Sequence, residues 1–168
     1  MKHKALTLIA LVVAGGVGAG SVAVATPGTG ILGAPILARG TPGGDFEITL
    51  KDSPTPGDVI VQQVIIAPGG STGWHTHPGP AVVIVKSGSL TLYDSDDPTC
   101  TGTTYSVAMN SAGPASPVGK VFVDPGYGHA HIGRNEGRTK TELYVTYLDV
   151  PAGAAPRIDV PNPGHCGF

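Results

Sequence analysis

Charged side chains are scarce in this chain: Asp, Glu, Lys and Arg make up 13% of its 168 residues, and the formal net charge is -2. The few Lys and Arg residues are scattered along the sequence and form no cluster. The basic patch that nucleic-acid-binding proteins use is therefore missing, and we expect no nucleic-acid partner. A chain of this length fits one domain, so any site must lie inside or at the mouth of a single core.

Helical periodicity is also missing, since no segment after residue 25 keeps its apolar residues on one helical face. Instead, 26 glycines and 16 prolines punctuate short runs of β-branched residues. This pattern predicts an all-β domain, a sandwich or a barrel, in which about eight short strands are joined by turns. The predicted strands cover residues 46–51, 59–67, 81–86, 89–93, 103–107, 120–123, 129–134 and 141–150, with at most one more short strand at 157–160.

The N-terminal segment is typical of an export signal. Lys2 and Lys4 precede an uncharged apolar stretch, which gives way to small residues that end at Ala25. We expect cleavage after Ala25 and a mature protein that is secreted or kept in the cell envelope, without further contact with the membrane. The uncharged stretch from Ala5 is nearly long enough to span a bilayer, so an uncleaved anchor is the alternative, although its glycines weaken such a helix.

The chain after the signal divides into three predicted parts. Residues 26–44 are rich in Gly, Pro and Thr and predict a flexible segment, in which the apolar residues 31–38 form a possible edge strand. Residues 45–150 carry the predicted strands and form the barrel, and residues 151–168 form a C-terminal tail. An apolar edge strand would suit pairing between two chains, so a homodimer is an alternative to a monomer.

Only two cysteines occur, Cys100 in a polar loop and Cys166 close to the C-terminus. Both belong to the part that would be exported, where thiols are oxidised, so we predict a disulfide that pins the tail. The alternative is that one of them is a metal ligand or a reactive thiol. Neither lies in a Cys-x-x-Cys pair, which favours the disulfide.

The histidines form two pairs with the same spacing, His75 with His77 and His129 with His131. Residues two apart on an extended chain point to the same face, where two imidazoles can share one metal ion. A single such pair would be interpreted as polar side chains at strand ends. Two pairs in a chain so poor in ionisable groups favour a metal site.

The spacing around the first pair resembles the first motif of the cupin superfamily, G-x5-H-x-H-x3-E-x6-G. Gly69, His75, His77 and Gly88 match this motif, whereas Ala81 stands where the glutamate is expected. The resemblance covers about residues 60–150 and implies a cupin-type jelly-roll β-barrel of a single domain, with the site inside its wider end.

A second stretch is similar to the second cupin motif, G-x5-P-x-G-x2-H-x3-N, with Gly119, Pro125 and Asn135 in the matching positions. Its turn is one residue longer than the motif. Counting back from Asn135 gives His131, and this choice keeps the match on a strand and places the extra residue in a loop, which absorbs insertions more easily. The resemblance therefore implies His75, His77 and His131 as metal ligands, with His129 as a rival, a fourth ligand or a hydrogen-bond donor behind them.

The missing glutamate leaves a neutral site of three histidines. Such a site suits a divalent transition metal, Fe, Zn, Cu, Ni or Co, with open positions for water or substrate. No other acid is an obvious replacement, because Asp124 beside a proline and Glu136 in a turn are interpreted as surface or capping residues.

Some cupin dioxygenases use three histidines without the carboxylate, so the resemblance implies a possible metal-dependent dioxygenase that acts on a small organic substrate. The alternatives are a non-catalytic cupin that binds a small molecule or metal outside the cytoplasm, and a structural protein with vestigial histidines. Trp74 next to His75 is expected to pack away from the histidine face. The polar residues that could orient a substrate are unranked candidates: Gln62, Gln63, Tyr93, Tyr105 and Tyr144.

Overall fold

The computed structural model describes residues 36–42, 47–51, 57–107 and 119–168, which form strands and turns without a helix. None of the described residues therefore builds a helix that is long and apolar enough to cross a membrane. The strands are β1 (Gly40–Pro42), β2 (Asp58–Ile66), β3 (His75–Thr76), β4 (Ala81–Ser87), β5 (Ser89–Asp94), β6 (Thr103–Ser106), β7 (Gly119–Asp124), β8 (His131–Arg134), β9 (Thr141–Val150) and β10 (Ile158–Asp159).

The ten strands form two five-stranded sheets. Sheet A has the order β1-β7-β4-β9-β2, and sheet B has the order β10-β3-β8-β5-β6. From β2 to β9 the chain crosses between the sheets at every connection except the β5–β6 hairpin. Eight strands in two such four-stranded sheets form a jelly roll. β1 adds a parallel edge to sheet A, and β10 adds an antiparallel edge to sheet B.

The main core fills the space between the two sheets and obeys strand alternation. β9 shows this most clearly, since Leu143, Val145 and Tyr147 are buried and the residues between them are half-buried. β4 contributes Ala81, Val83 and Val85 in the same way. A second, smaller cluster joins Trp74, Ile132 and Cys166. Trp74 therefore packs against the tail, away from the histidine beside it, as the alternation predicts.

β2 forms the free edge of sheet A and is apolar on both faces. Ile60, Val64 and Ile66 pack on the core, whereas the alternate residues Val59, Val61 and Ile65 are exposed. The polar residues Gln62 and Gln63 interrupt this run at its centre. A strand of this kind shows no clean period of two in the sequence, yet its length and β-branched composition still identify it.

Two predicted motif residues hold the corners of the jelly roll. The side chain of Asn135, which is fully buried, donates to the carbonyl oxygens of Ile66 and Thr139 at 2.9 and 2.8 Å and accepts from the amide of Gly137. The amide of Gly69 donates to the carbonyl of Asn135 at 2.8 Å. The asparagine therefore ties the end of β2 to the turn before β9, which is a structural role.

The all-β jelly roll expected from the sequence is confirmed, with its strands arranged as two facing sheets. The strand predicted at 46–51 is absent from residues 47–51, which are exposed. The amide of Lys51 donates to the Tyr127 hydroxyl. Residues 36–38 of the expected edge strand are also not in a strand, and the edge is formed by β1 instead. The predicted signal at 1–25, the segment 26–35 and residues 43–46 lie outside the described residues.

The C-terminal residues lie along sheet B. β10 pairs with β3, so that Ile158 lies opposite Thr76 and Asp159 opposite His75. Cys100 and Cys166 form a disulfide with 5.6 Å between their Cα atoms, and the half-cystine at 166 is buried. The tail is thus fastened beside the strand that carries the first histidine, by a bond typical of exported proteins.

Candidate metal centre

Three histidines meet between the sheets. His75 opens β3, His77 follows that strand directly, and His131 opens β8, where it is the cross-strand partner of His75. All three are buried, with exposures of 6%, 5% and 4%. Their ring centroids are 4.4 to 5.2 Å apart, and one ring nitrogen from each lies within 4.8 Å of the others. The structure therefore directs three imidazole nitrogens to the same point of the core.

The other ring nitrogen of each histidine faces an acceptor. Nδ1 of His75 lies 2.8 Å from the carbonyl oxygen of Gly73, and Nδ1 of His77 lies 2.7 Å from the carbonyl oxygen of Pro156. A carbonyl only accepts, so these Nδ1 atoms carry the proton and the lone pair is on Nε2. Nδ1 of His131 lies 3.1 Å from a carboxylate oxygen of Asp124. Metal-binding histidines typically have such a partner on the nitrogen that does not bind.

The surroundings keep these imidazoles neutral. Burial, with the neighbouring His131 as a further cause, lowers the pKa of His75 from 6.5 to about 3. Burial also lowers the pKa of His77, although its hydrogen bond to the Pro156 carbonyl opposes the shift. A neutral imidazole has a free lone pair, so both residues can act as ligands at neutral pH without first losing a proton. The donor set is therefore compatible with a divalent transition metal such as Fe, Zn, Cu, Ni or Co.

Asp124 caps the turn that follows it, as the sequence suggests, but it is not a surface residue, because only 2% of it is exposed. One oxygen accepts from the amide of Gly126 at 2.8 Å, and the other lies 2.9 Å from Nδ1 of His129. Burial alone would raise the pKa of the carboxyl, but the contacts from His129 and His131 outweigh burial and hold this pKa below its usual range. Asp124 is thus a buried carboxylate directly behind His131. Glu136 is exposed, as expected, and accepts from the Tyr93 hydroxyl.

His129 does not join the other three histidines. Its Nδ1 is bonded to Asp124, and its Nε2 lies 3.5 Å from Asp94 on the partly exposed side. The hydrogen bond with the Asp124 carboxylate raises the pKa of His129. This position fits the hydrogen-bonding role among those left open by the sequence. With Asp124 and His131, His129 also forms a second group in which one ligand atom from each residue lies within 4.8 Å of the others.

The turn before β8 explains this separation. Gly126, Tyr127 and Gly128 all have positive φ angles, of 66°, 52° and 97°. Three successive residues in the left-handed backbone conformation reverse the chain tightly, and this turn accommodates the one residue by which it is longer than the second cupin motif. A side chain at Gly126 would also overlap the carbonyl of Gly79. β8 consequently begins at His131, and His129 stays in the turn.

A cavity of about 50 Å³ adjoins the three histidines. One water needs about 10–15 Å³ measured in this way, so the cavity has room for only a few waters or a comparably small ligand. Its wall is mainly aliphatic, and besides the histidines and Asp124 it presents few polar side chains. The lining includes Val64, Thr72, Val83, Leu90, Phe122 and Tyr147.

Tyr147 is the polar residue of this wall that sequence reasoning missed. It is 6% exposed, its ring centroid lies 5.1 Å from that of His77, and its hydroxyl donates to the side chain of Gln62 at 3.0 Å. Burial raises its pKa, so the hydroxyl keeps its proton at neutral pH. Alternation along β9 places Tyr147 and Val145 on the inner face of the sheet. Tyr144 lies on the outer face.

The remaining substrate-orienting candidates lie elsewhere. Gln63 bonds to Glu142 on the outer face of sheet A, and Tyr93 packs edge-on against Phe168. Tyr105 stacks on Phe122 at a centroid distance of 4.3 Å and does not line the cavity beside the three histidines. Gln62 is thus the one candidate from the sequence that reaches the site, through its bond to Tyr147.

No protein-family model matches the chain, and no curated protein sequence matches it. Among solved structures, it is similar to peruvianin-I, a cysteine peptidase from Thevetia peruviana latex, with a TM-score of 0.45 and 19% identity over 62% of this chain and 56% of that one. It is also similar to an oxalate oxidase in complex with the substrate analogue glycolate, with a TM-score of 0.43 and 25% identity over 61% and 46%. The chain thus spans about half of the length of these two proteins.

A third similar structure is a cupin domain from Bordetella pertussis Tohama I, with a TM-score of 0.41 and 21% identity over 68% of this chain and 98% of that one. At such TM-scores the fold assignment depends on the chain itself. Its strand order is that of a jelly roll, and the histidines of both sequence motifs meet between the two sheets. Both motifs are thus brought to one point of a jelly roll, as the resemblance to the cupin superfamily implies.

Proposed function

We propose that this protein is an exported cupin that binds one divalent transition metal through Nε2 of His75, His77 and His131 and acts as a metal-dependent oxidoreductase of the dioxygenase type. The observation that carries the proposal is the ordered donor set: three buried imidazoles whose Nδ1 atoms each lie within 3.1 Å of an acceptor oxygen. A bound ion of this kind supplies Lewis acidity and a template that orients a small substrate. The disulfide supports export.

The chain's own residues limit what the site can accept. The aliphatic wall excludes bulk water, and the small cavity favours a substrate of a few heavy atoms. The Tyr147 hydroxyl donates its proton to Gln62, so its oxygen is available to accept a hydrogen bond from an O–H or N–H group of a substrate. With its proton retained, Tyr147 orients a substrate and does not serve as a base.

The first test is metal content. We expect about one equivalent of a transition metal in protein purified from an exporting host, measured by plasma mass spectrometry, and almost none in His77→Ala. The matched control is His165→Ala, because His165 is exposed and its neighbouring potential ligands, Cys100 and Cys166, are joined in the disulfide. Equal trace metal in the wild type and in His77→Ala would contradict the metal site.

A non-catalytic metal-binding cupin is the second candidate, favoured by the small size of the cavity and by its scarcity of polar groups. Oxygen-electrode measurements separate the two functions. The protein loaded with Fe(II) is given small enolisable and aromatic substrates, and the dioxygenase proposal predicts uptake that His77→Ala abolishes. Stoichiometric metal without oxygen uptake on any of them would favour the binding function.

A further inference from the structure

The site has a buried carboxylate on the strand next to the one where the cupin motif has its glutamate. Ala81 on β4 and Asp124 on β7 are direct cross-strand partners, and both side chains are inaccessible, at 0% and 2% exposure. Cross-strand partners point to the same face, so both face the space between the sheets. The negative charge missing at Ala81 is therefore present one strand away, on the wall of the same cavity.

The position of this carboxylate is fixed by its contacts. One oxygen accepts from the amide of Gly126, in the left-handed turn where no larger residue fits. The other oxygen is shared by Nδ1 of His129 at 2.9 Å and Nδ1 of His131 at 3.1 Å. Two hydrogen bonds, from Gly126 and His129, thus hold the carboxylate in place. It is placed next to Nδ1 of His131, which makes no other hydrogen bond.

We propose that Asp124 is the positioning residue of the metal site: it holds His131 with the proton on Nδ1 and Nε2 toward the cavity, and it supplies the negative charge that Ala81 lacks. This inference rests on the proposed function, because it assigns a role toward a bound metal. Asp124 also forms a second group with His129 and His131 in which one ligand atom from each residue lies within 4.8 Å of the others. Toward the three-histidine site we assign it an indirect role, because its carboxylate lies 3.1 Å from Nδ1 of His131.

Two physical reasons support a role beyond packing. His75 and His77 face neutral carbonyls, whereas His131 faces an anion, which makes it the most electron-rich of the three donors. A divalent cation in a dry apolar cavity also needs nearby negative charge, and neutral imidazoles provide none. Asp124 is the only acidic residue among those that line this cavity.

The test is Asp124→Asn, which keeps the shape but replaces one acceptor oxygen by an amide donor. If the asparagine oxygen faces Gly126, its NH2 group faces the histidines, and His131 must then carry its proton on Nε2, where it cannot bind metal. We expect the metal affinity to fall about 10- to 100-fold, measured by competition with a chromophoric chelator. Asp94→Asn is the matched control, since Asp94 approaches only the far nitrogen of His129, and its affinity should stay within about twofold.

A wild-type protein that takes up no metal would refute the proposed function itself. Wild-type metal binding with an unchanged affinity in a folded Asp124→Asn would refute only the role of Asp124. If Asp124→Asn does not fold by circular dichroism, the metal-free wild type decides, because nitrogen-15 NMR reports the tautomer of each imidazole. We expect the Nδ1–H form at His131, and the Nε2–H form would overturn the inference.

Discussion

The disulfide between Cys100 and Cys166 joins residues 66 apart in the sequence and fastens a tail that contacts the proposed metal ligands. Nδ1 of His77 bonds to the carbonyl of Pro156, and the amide of Val160 donates to the carbonyl of Trp74. β10 of the tail also pairs with β3, where His75 lies. Replacing both cysteines by serine should therefore lower the stability of the fold and weaken metal binding together.

Two magnitudes follow from these contacts. The loop-closure entropy of a crosslink over this separation gives about 4 kcal/mol at 25 °C for the loss in free energy of unfolding. A released tail also deprives His77 of its Nδ1 partner, and one such hydrogen bond contributes about 0.5–1.5 kcal/mol, or roughly two- to tenfold in affinity. The barrel strands do not depend on the tail, so the serine variant should keep the jelly roll.

Guanidinium unfolding followed by circular dichroism gives the first quantity, and chelator competition gives the second. Wild-type protein treated with dithiothreitol should reproduce both changes, and the reductant should have no effect on the double-serine variant. A stability loss below about 1 kcal/mol together with an unchanged metal affinity would refute the reasoning, because the tail would then adhere to sheet B without its crosslink.

Two further predictions concern the histidines. Acid should destabilise the metal-free protein. The pKa of His75 is about 3 in the folded protein and 6.5 in the unfolded chain, so the unfolded chain binds more protons between these values. The free energy of unfolding therefore falls as the pH falls from 6.5 to 3, by at most about 5 kcal/mol for this residue. The charges of His77, His131 and Arg157 also lower the pKa of His75. In His75→Gln the free energy of unfolding should depend less steeply on pH than in the wild type, and an equal dependence would contradict this assignment. His129→Ala should keep about one metal per chain by mass spectrometry, because His129 is bonded to Asp124 and lies outside the three-histidine cluster, and loss of the metal would restore it as a ligand.

Most strands could be predicted because turn residues mark their ends. β4, β5 and β9 lie where glycines and prolines separate β-branched runs, and their bounds agree with the prediction to within a residue. β3 was not predicted as a strand because it has only two residues. β8 begins two residues later than the predicted strand, since consecutive left-handed residues shift its start, and only the backbone angles show this.

The prediction that Asp124 is a capping residue was correct, but the prediction that it lies at the surface was wrong, although part of the signal was in the sequence. An aspartate before a proline is typical of a turn or cap, and that interpretation hid the alternation of β7, which puts Asp124 on the same face as the buried Phe122. The same parity test along β9 would have selected Tyr147 instead of Tyr144. Cross-strand register could not be predicted, because pairing between β4 and β7 depends on the topology of the whole sheet.

The position of the carboxylate has a consequence for the chemistry of the site. A glutamate at position 81 would occupy one coordination position of a bound ion, whereas Asp124 contributes charge from behind His131 and leaves that position free. Three ligands leave more positions for water, substrate or a second small molecule than four do. If the proposed site binds metal, an alanine at position 81 would therefore open the ion toward the cavity while Asp124 keeps a negative charge nearby.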